Sequence, residues 1–338
     1  MPPPAHQPAV LSPDLIGEIL AKSVDDLYSS PSDADACNQM VSELTADQLE
    51  QAARTSYAYY VASTSSNPSL TALATDGARR NMALRMARRH LVQCKGNQEK
   101  AAEIMVQALE FRNHRDVDAL RNCFAVQHDE RCASLSIREE DMPDADRMES
   151  YRKLVVNDLA RQPMVVRGHD VSNRAVLIKF PRISAETDVE AYVMAHLYVA
   201  ERAMAATEVL SRGNEEKIVV CLDFADYSSS CKPPLSAMRM LLPLLQVNYP
   251  ERVDHIVIVE PSLWMRALFK LLGPFFDPHT KEKIVMVNGE EQRIDKLQPL
   301  VSKDQAMPFM LPGGELTSEV NVERYLEEVP FFSLYDFG

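Results

Sequence analysis

Two continuous apolar runs in the second half of the chain constrain the fold more than any other feature. They read KIVVCLDF over residues 217–224 and HIVIVE over residues 255–260, and a run without polar alternation is typical of a strand covered on both faces. A segment of helical length separates them, and KIVMV at 283–287 supplies a further strand. Strands that alternate with helices form parallel β-α-β units with right-handed crossovers. The sequence therefore predicts an α/β fold with a mostly parallel sheet flanked by helices.

A hairpin and a long helix precede these strands. The runs PMVVRG and AVLIKFP flank HDVSNR, in which Asn173 supplies the left-handed residue that a tight turn requires. The helix that follows carries His196 on its apolar face, where a histidine is more often part of the core than a base. Upstream, from Asp47 to Cys123, apolar residues repeat with helical spacing. Residues 1–35 are rich in proline, serine and aspartate, which favours disorder. We predict five segments: a disordered tail over 1–35, an all-helical lobe over 36–128, an acidic linker over 129–150, an α/β domain over 151–316 and a C-terminal tail over 317–338.

One basic stretch interrupts an acidic chain. The net charge is −13, which argues against sequence-independent nucleic-acid binding, because neutralising phosphates requires clustered lysine and arginine. Residues 77–98 nevertheless contain no acid, and Arg85, Arg88 and Arg89 fall on one arc of the predicted helix. This arc is expected to be either a solvated helix face or a contact surface for anionic membranes.

No catalytic or metal-binding site is recognisable in the sequence. The six cysteines are scattered without C-x-x-C or Cys/His spacing, so we expect reduced thiols and no metal site. The tripeptides HRD at 114–116 and DFG at 336–338 lack the glycine-rich loop and the spacing of a protein kinase. CASLSIR at 132–138 lacks the glycines of a phosphate-binding loop. We therefore expect no enzymatic activity and no cofactor.

The chain shows no targeting segment. No apolar run approaches the roughly 20 residues that span a bilayer, and the N-terminus has no basic region followed by an apolar one. A cytoplasmic location is expected.

A strongly apolar stretch follows the second of the two opening strands. LWMRALFKLLGPFF, residues 263–276, has ten apolar residues among fourteen, and its only charges are Arg266 and Lys270. Gly273 and Pro274 interrupt the helical pattern, and DPHTKEK then returns the chain to polar sequence. A helix that is apolar nearly all round must be buried or must cover something apolar.

Several strings together resemble the CRAL-TRIO lipid-binding family, which includes phosphatidylinositol and phosphatidylcholine transfer proteins. The longest covers 244–287, from LLQVNYPERVDHIVIVEP to KIVMV. LRMARRHLVQCKGNQEKAAEIMVQALEFR resembles the N-terminal helical lobe of the family, GHDVSNRAVLIK its hairpin, KIVVCLDF its central strand and MPFMLPGGEL its closing segment. The resemblance spans about residues 80–316 and implies a CRAL-TRIO fold whose sheet and helices enclose an apolar lipid cavity.

The resemblance also implies a headgroup site. In phosphatidylinositol-binding members, a glutamate in Y-P-E-R and a lysine in DP-x-T-x-x-K-I help to hold the headgroup, and these match Glu251 and Lys283. Tyr249 and Arg252 from the same string are further headgroup candidates. Hydroxyl residues on the central strand of those members are replaced here by Ile218 and Val220. Phosphatidylinositol is thus one candidate ligand, and a structural ion pair is the alternative interpretation of Glu251 and Lys283.

In this family the apolar helix after the VEP strand resembles a gate over the lipid. The resemblance implies a gate that opens at a membrane surface, with Gly273 and Pro274 as its hinge and Arg266 and Lys270 as contacts to anionic headgroups. We therefore predict a lipid-binding protein, cytoplasmic with peripheral membrane association, that exchanges or presents a phospholipid or other hydrophobic ligand. The apolar gate residues are Leu263, Trp264, Met265, Leu268, Phe269, Leu272, Phe275 and Phe276.

The same fold leaves an alternative function open. Relatives of this fold also serve as regulatory or interaction modules, such as small-GTPase regulators and signalling scaffolds, which transfer no lipid. A protein partner and an absence of lipid transfer would favour that function.

Overall fold

In the computed structural model, the chain is described over residues 11–125, 137–181, 188–225, 227, 235–263, 266–267, 273 and 281–335. One five-stranded sheet has the order β1-β2-β3-β4-β5. β1 and β2 are antiparallel, and the other neighbours are parallel. The mostly parallel sheet predicted from the sequence is therefore confirmed. The strands are β1 (Met164–His169), β2 (Ala175–Lys179), β3 (Ile218–Asp223), β4 (Val253–Val259) and β5 (Ile284–Val287).

Eight helices in the described part form an N-terminal all-helical lobe. Most of them begin at a serine, threonine or asparagine whose side chain accepts a hydrogen bond from the first turn, and Thr45 forms a full capping box with Gln48. The helices are α1 (Pro13–Ala21), α2 (Pro31–Ser42), α3 (Ala46–Ala53), α4 (Tyr57–Thr64), α5 (Pro68–Thr71), α6 (Asp76–Gln93), α7 (Gln98–His114) and α8 (Val117–Asn122).

Five further helices surround the sheet in the described part. The longest, α10, packs against β1 and β2 on one side and against the helical lobe on the other. It therefore holds the two parts of the chain together. These helices are α9 (Ala145–Leu159), α10 (Val189–Leu210), α11 (Leu235–Asn248), α12 (Gly289–Leu297) and α13 (Val322–Glu327).

The β1-β2 hairpin turns as the sequence predicts. Asn173 has φ 63°, and the Asp170 carboxylate accepts hydrogen bonds from the backbone N–H groups of Ser172 and Arg174. Gly168, with φ 68°, allows the strand to pass directly beneath the Gln305 carbonyl oxygen, which would lie 2.2 Å from an added Cβ atom. The conformation of this turn therefore fixes the register of β1 against β2.

The two faces of the sheet differ in exposure. Val219, Cys221, Val257 and Val259 lie on one face and are buried in the main core. The opposite face carries apolar side chains in register across the strands, and most of those on β3, β4 and β5 are half-exposed. We call this face the floor; its members are Leu177, Val220, Leu222, Ile256, Ile258, Ile284 and Met286.

The predicted disordered tail over 1–35 is wrong for the residues that the structure describes. α1 lies within it, and Ile16 and Ile19 pack against α4 beside Tyr57. Ser12 caps α1 and Pro13 follows at its first position, so the proline and serine that suggested disorder are a helix start. Residues 1–10 lie outside the described part.

The acidic linker predicted over 129–150 is also partly wrong. α9 begins at Ala145 with Asp144 as its cap, and Met148 is buried. Arg138 and Arg54 both pair with Asp141, so the acids of this segment have structural partners. Residues 126–136 lie outside the described part.

Two buried arginines hold the C-terminal segment 317–335 on the domain. Arg202 donates hydrogen bonds to the Tyr325, Val329 and Pro330 carbonyls, and its guanidinium lies 3.8 Å from the centre of the Tyr325 ring. Arg167 donates hydrogen bonds to the backbone carbonyls of Thr317, Glu319 and Tyr335. Over residues 317–335, the predicted C-terminal tail is therefore part of the folded unit.

Candidate functional site

The two residues matched to the headgroup position form an ion pair at one edge of the sheet. Glu251 precedes β4 and Lys283 precedes β5, and because these neighbouring strands are parallel, both residues lie towards the amino ends of the strands. Lys283 Nζ lies 3.3 Å from Glu251 Oε2, and both side chains are mostly buried. Glu251 has φ 55°, a left-handed backbone conformation that is uncommon for glutamate. The geometry fits both the headgroup prediction and the structural ion pair.

Tyr249 and Arg252 lie in a different environment from Glu251 and Lys283. Arg252 donates to the Glu216 backbone carbonyl at 3.0 Å, and the Tyr249 ring centre lies 6.0 Å from the Arg112 guanidinium. Both residues border a small cavity between α6, α7 and α10. The four headgroup candidates thus divide into an ion pair at the sheet edge and two members of an interlobe network.

The predicted membrane-facing role of Arg85, Arg88 and Arg89 is not compatible with their positions. Arg85 and Arg89 are only 7% and 4% exposed. Arg89 pairs with Glu216, which precedes β3, and Arg88 and Arg85 lie 3.6 and 3.9 Å from the same carboxylate. Arg88 is partly exposed and donates to the Leu27 carbonyl. The arc of arginines faces the α/β domain, so it joins the two parts of the protein.

Glu216 lies among several arginines. Four guanidinium groups, those of Arg85, Arg88, Arg89 and Arg252, influence this one carboxylate. Burial and the neighbouring Arg252 lower the pKa of Arg89 to about 9. Burial alone would raise the pKa of Glu216, but the arginines outweigh it and the pKa is lowered. Glu208 and Glu201 also act on Arg252, so the interlobe region is a network of both charge signs.

A second carboxylate network joins α10 to the helical lobe. Glu201 is 1% exposed and binds Arg112 and Arg121, each at 2.6 Å. Glu208 accepts hydrogen bonds from the Tyr57 backbone N–H at 2.7 Å and from the Ser56 hydroxyl, at the start of α4. Sequence reasoning missed both acids. Their seven-residue spacing on a mostly apolar helix was the available signal, since it places them on one side of α10.

Two cavities lie along this interlobe network. One has a volume of about 20 Å³ and is lined by Arg85, Arg89, Glu208 and Glu216, among others. The other has a volume of about 10 Å³ and lies beside Tyr249. A volume of this size holds about one water molecule. Neither cavity can be the apolar lipid cavity that the resemblance implies.

Most of the predicted gate lies outside the described residues. Leu263 is 84% exposed and begins a helical turn, because the Arg266 backbone N–H donates to the Ser262 carbonyl. Arg266 is also exposed, and the hinge residue Gly273 is half-buried. The remaining gate, hinge and surface candidates, which are Trp264, Met265, Leu268, Phe269, Lys270, Leu272, Pro274, Phe275 and Phe276, are not described.

Comparisons with known proteins agree with this architecture. A family model described as the CRAL/TRIO domain matches residues 159–309, within the predicted domain. The phosphatidylinositol transfer protein PDR17 of Saccharomyces cerevisiae is 31% identical over 161 residues, which cover 46% of this chain and 44% of that protein. A CRAL-TRIO domain-containing protein of Schizosaccharomyces pombe is 26% identical over 161 residues, covering 48% of this chain and 15% of that protein. The chain thus spans less than half the length of either relative.

A solved structure shares the fold across most of the chain. The crystal structure of Sfh5 aligns with a TM-score of 0.51 and 12% identity, covering 81% of this chain and 85% of that one. At this identity the likeness concerns the fold alone. Among the described residues, no helix combines the length and the apolar character that crossing a bilayer requires.

Proposed function

Because residues 159–309 match the family model of the CRAL/TRIO domain, we propose that this chain binds a phospholipid against the floor of its sheet and exchanges or presents it at membranes. The observation that carries the proposal is the floor itself. Val220, Leu222, Ile256 and Met286 of the floor are half-exposed apolar side chains on three adjacent strands. A contiguous apolar surface of this kind is typical of a ligand-binding face.

The ion pair of Glu251 and Lys283 would contact the headgroup. A carboxylate accepts hydrogen bonds from sugar hydroxyls, and an ammonium group binds phosphate. Phosphatidylinositol has both features, and one relative is named as its transfer protein. Ile218 and Val220 offer no hydroxyl groups on the central strand, so recognition would depend on the sheet edge.

The segment 263–276 would act as the gate. Leu263 already exposes 84% of its surface at the start of this segment, and an apolar residue so placed gains free energy when it enters a bilayer. Opening would then be coupled to membrane contact, with Gly273 and Pro274 as the hinge and Arg266 and Lys270 touching anionic headgroups. The protein would be cytoplasmic and would associate peripherally with membranes. Its ligand would be the lipid, with no catalysis and no nucleic-acid partner.

A vesicle assay tests the gate. Transfer of a fluorescent phospholipid between donor and acceptor vesicles is measured for the wild type, for Leu263→Ser and for Val171→Ser. Val171 is 65% exposed in the hairpin turn and serves as the control. Losing the contact of one leucine with the bilayer, worth roughly 1.5–3 kcal/mol, should slow transfer by about tenfold or more for Leu263→Ser alone. Equal rates for all three proteins would contradict the gate, and no transfer by the wild type would contradict the proposed function.

A further inference from the structure

A buried polar cluster borders the floor at the carboxyl end of β2. Lys179 is the last residue of β2 and pairs in register with Leu222 of the floor. Its side chain is 8% exposed, and Nζ lies 2.8 Å from Nε2 of His196 and 4.7 Å from the centre of the Tyr192 ring. Tyr192 packs on Leu241 of α11. The cluster therefore lies where the sheet, α10 and α11 meet.

The hydrogen bonds of the cluster fix the state of His196. Its Nδ1 lies 2.7 Å from the Tyr192 backbone carbonyl, which only accepts, so Nδ1 carries the proton. Nε2 is then free to accept from the Lys179 ammonium group. Burial and the charge of Lys179 lower the pKa of His196 well below its ordinary value. His196 is a neutral partner of the lysine, as a core histidine would be, and supplies no charge to balance it.

Two neighbouring polar side chains lack partners. Asp158, in α9, is 2% exposed, and Gln162, just after α9, is fully buried. Neither carboxylate oxygen of Asp158 and neither amide atom of Gln162 has a hydrogen-bond partner within the described part of the chain. Burial raises the pKa of Asp158 to about 6, against the charges of Lys179 and Arg161. Burial lowers the pKa of Lys179 to about 8, against the charge of Asp158. The two groups influence each other without forming an ion pair.

The unmet hydrogen-bonding capacity indicates what would fill the site. Buried polar groups almost always have partners, and the cation and the acid of this cluster already act on each other. A carboxylate beside Lys179 would also face Asp158, and an ammonium beside Asp158 would also face Lys179. A hydroxyl group accepts from the lysine and donates to the aspartate, so it satisfies both without adding charge.

We propose that Asp158, Gln162 and Lys179 form a subsite for the hydroxyl group of an apolar ligand, whose hydrocarbon part lies along the floor. The subsite rests on the proposed function only in requiring that the floor binds an apolar chain. It is separate from the Glu251–Lys283 pair. The pair lies at the amino ends of β4 and β5, and Lys179 at the carboxyl end of β2, roughly 15–20 Å away at about 3.3 Å per residue and 4.8 Å per strand.

Four ligands of equal chain length test the subsite. Equilibrium dialysis of the full chain measures the affinities for radiolabelled dodecane, 1-dodecanol, dodecanoate and dodecylamine. These ligands differ only in the group at the end of the chain. We expect the wild type to bind dodecanol about tenfold more tightly than the other three, as one well-made buried hydrogen-bond pair allows. Asp158→Asn removes the acid and should shift the preference towards dodecanoate. Lys179→Met should shift it towards dodecylamine.

The controls separate the subsite from the wider proposal. Lys153→Met changes an exposed lysine on the same helix as Asp158 and should leave all four affinities unchanged. Asp158→Asn keeps the side-chain shape, so it remains informative if Lys179→Met does not fold. Equal wild-type affinities for dodecane and dodecanol would mean that the cluster holds only water, and tightest binding of dodecanoate would make it an anion site. Both results overturn the subsite but not the lipid-binding function, whereas failure of all four chains to bind contradicts both.

Discussion

Replacing Glu201 with glutamine should destabilise the whole protein, because Glu201 balances two buried arginines that join α10 to the helical lobe. Burial alone would raise the pKa of Glu201, but Arg112 and Arg121 lower it from 4.5 to about 2. At about 1.4 kcal/mol per pKa unit, this shift corresponds to roughly 3 kcal/mol of stability at neutral pH. Breaking a buried ion pair on one side costs about 3–5 kcal/mol. The two magnitudes agree, so the expected loss is about 3 kcal/mol.

Urea unfolding followed by circular dichroism measures this loss. Glu201→Gln is compared at pH 7 with the wild type and with Glu110→Gln, an exposed glutamate on α7 that should change the free energy of unfolding by less than about 0.5 kcal/mol. Because the pKa of Glu201 is lowered in the folded state, its contribution is fully present above about pH 4.5 and is lost as pH falls towards 2. The difference between wild type and Glu201→Gln should therefore shrink over this range. A difference below 1 kcal/mol at pH 7 would refute the assignment of Glu201 as the charge that holds the lobes together.

Three further changes test separate parts of the structure. Arg202→Met leaves three carbonyls of the C-terminal segment without the arginine donor and should lower the free energy of unfolding by about 2–4 kcal/mol. Limited proteolysis should then cut after residue 316, and an uncut segment would contradict the role of Arg202 in holding it. Gly168→Ala places a Cβ atom 2.2 Å from the Gln305 carbonyl oxygen at a positive φ and should cost about 3 kcal/mol or more in thermal unfolding, whereas an unchanged melting temperature would mean that the backbone yields there. Lys283→Glu should reduce the share of anionic phospholipid that copurifies, as lipid analysis would show; unchanged selectivity would make the Glu251–Lys283 pair structural.

The sheet and its hairpin could be predicted because their signals are local. Continuous apolar runs identify covered strands, and Asn173 in a short polar loop identifies the turn. Strands that are consecutive in sequence are usually neighbours in the sheet, and the observed order follows this rule.

The basic arc on α6 was misinterpreted because the periodicity of one helix does not reveal its partner. Arg85, Arg88 and Arg89 do share a side of the helix, but that side faces Glu216, which is more than 120 residues away in sequence. A buried face lined with arginine and a solvated face lined with arginine have the same pattern. Only the acids on α10 and before β3 distinguish them, and their pairing depends on the tertiary fold.

The two termini were misjudged from composition. Proline and serine near Pro13 suggested disorder, whereas they start α1. The C-terminal segment is as apolar as the rest of the chain, but composition alone does not show whether such a segment docks on its own domain. In the structure, Arg167 and Arg202 bind its backbone carbonyls, and Tyr325, Leu326 and Tyr335 pack into the core. The candidate headgroup pair came from the family resemblance, since nothing in the spacing of Glu251 and Lys283 indicates that they meet.

The most direct test of lipid binding is mass spectrometry of an organic extract from the purified full chain. An unfilled apolar cavity of several hundred cubic ångströms would cost about 10 kcal/mol at roughly 24 cal/mol per Å³, comparable with the stability of a whole domain. The protein should therefore retain its ligand through purification, and the extract should contain close to one phospholipid per chain. An extract with no stoichiometric lipid, from a preparation that is folded by circular dichroism, would contradict the account.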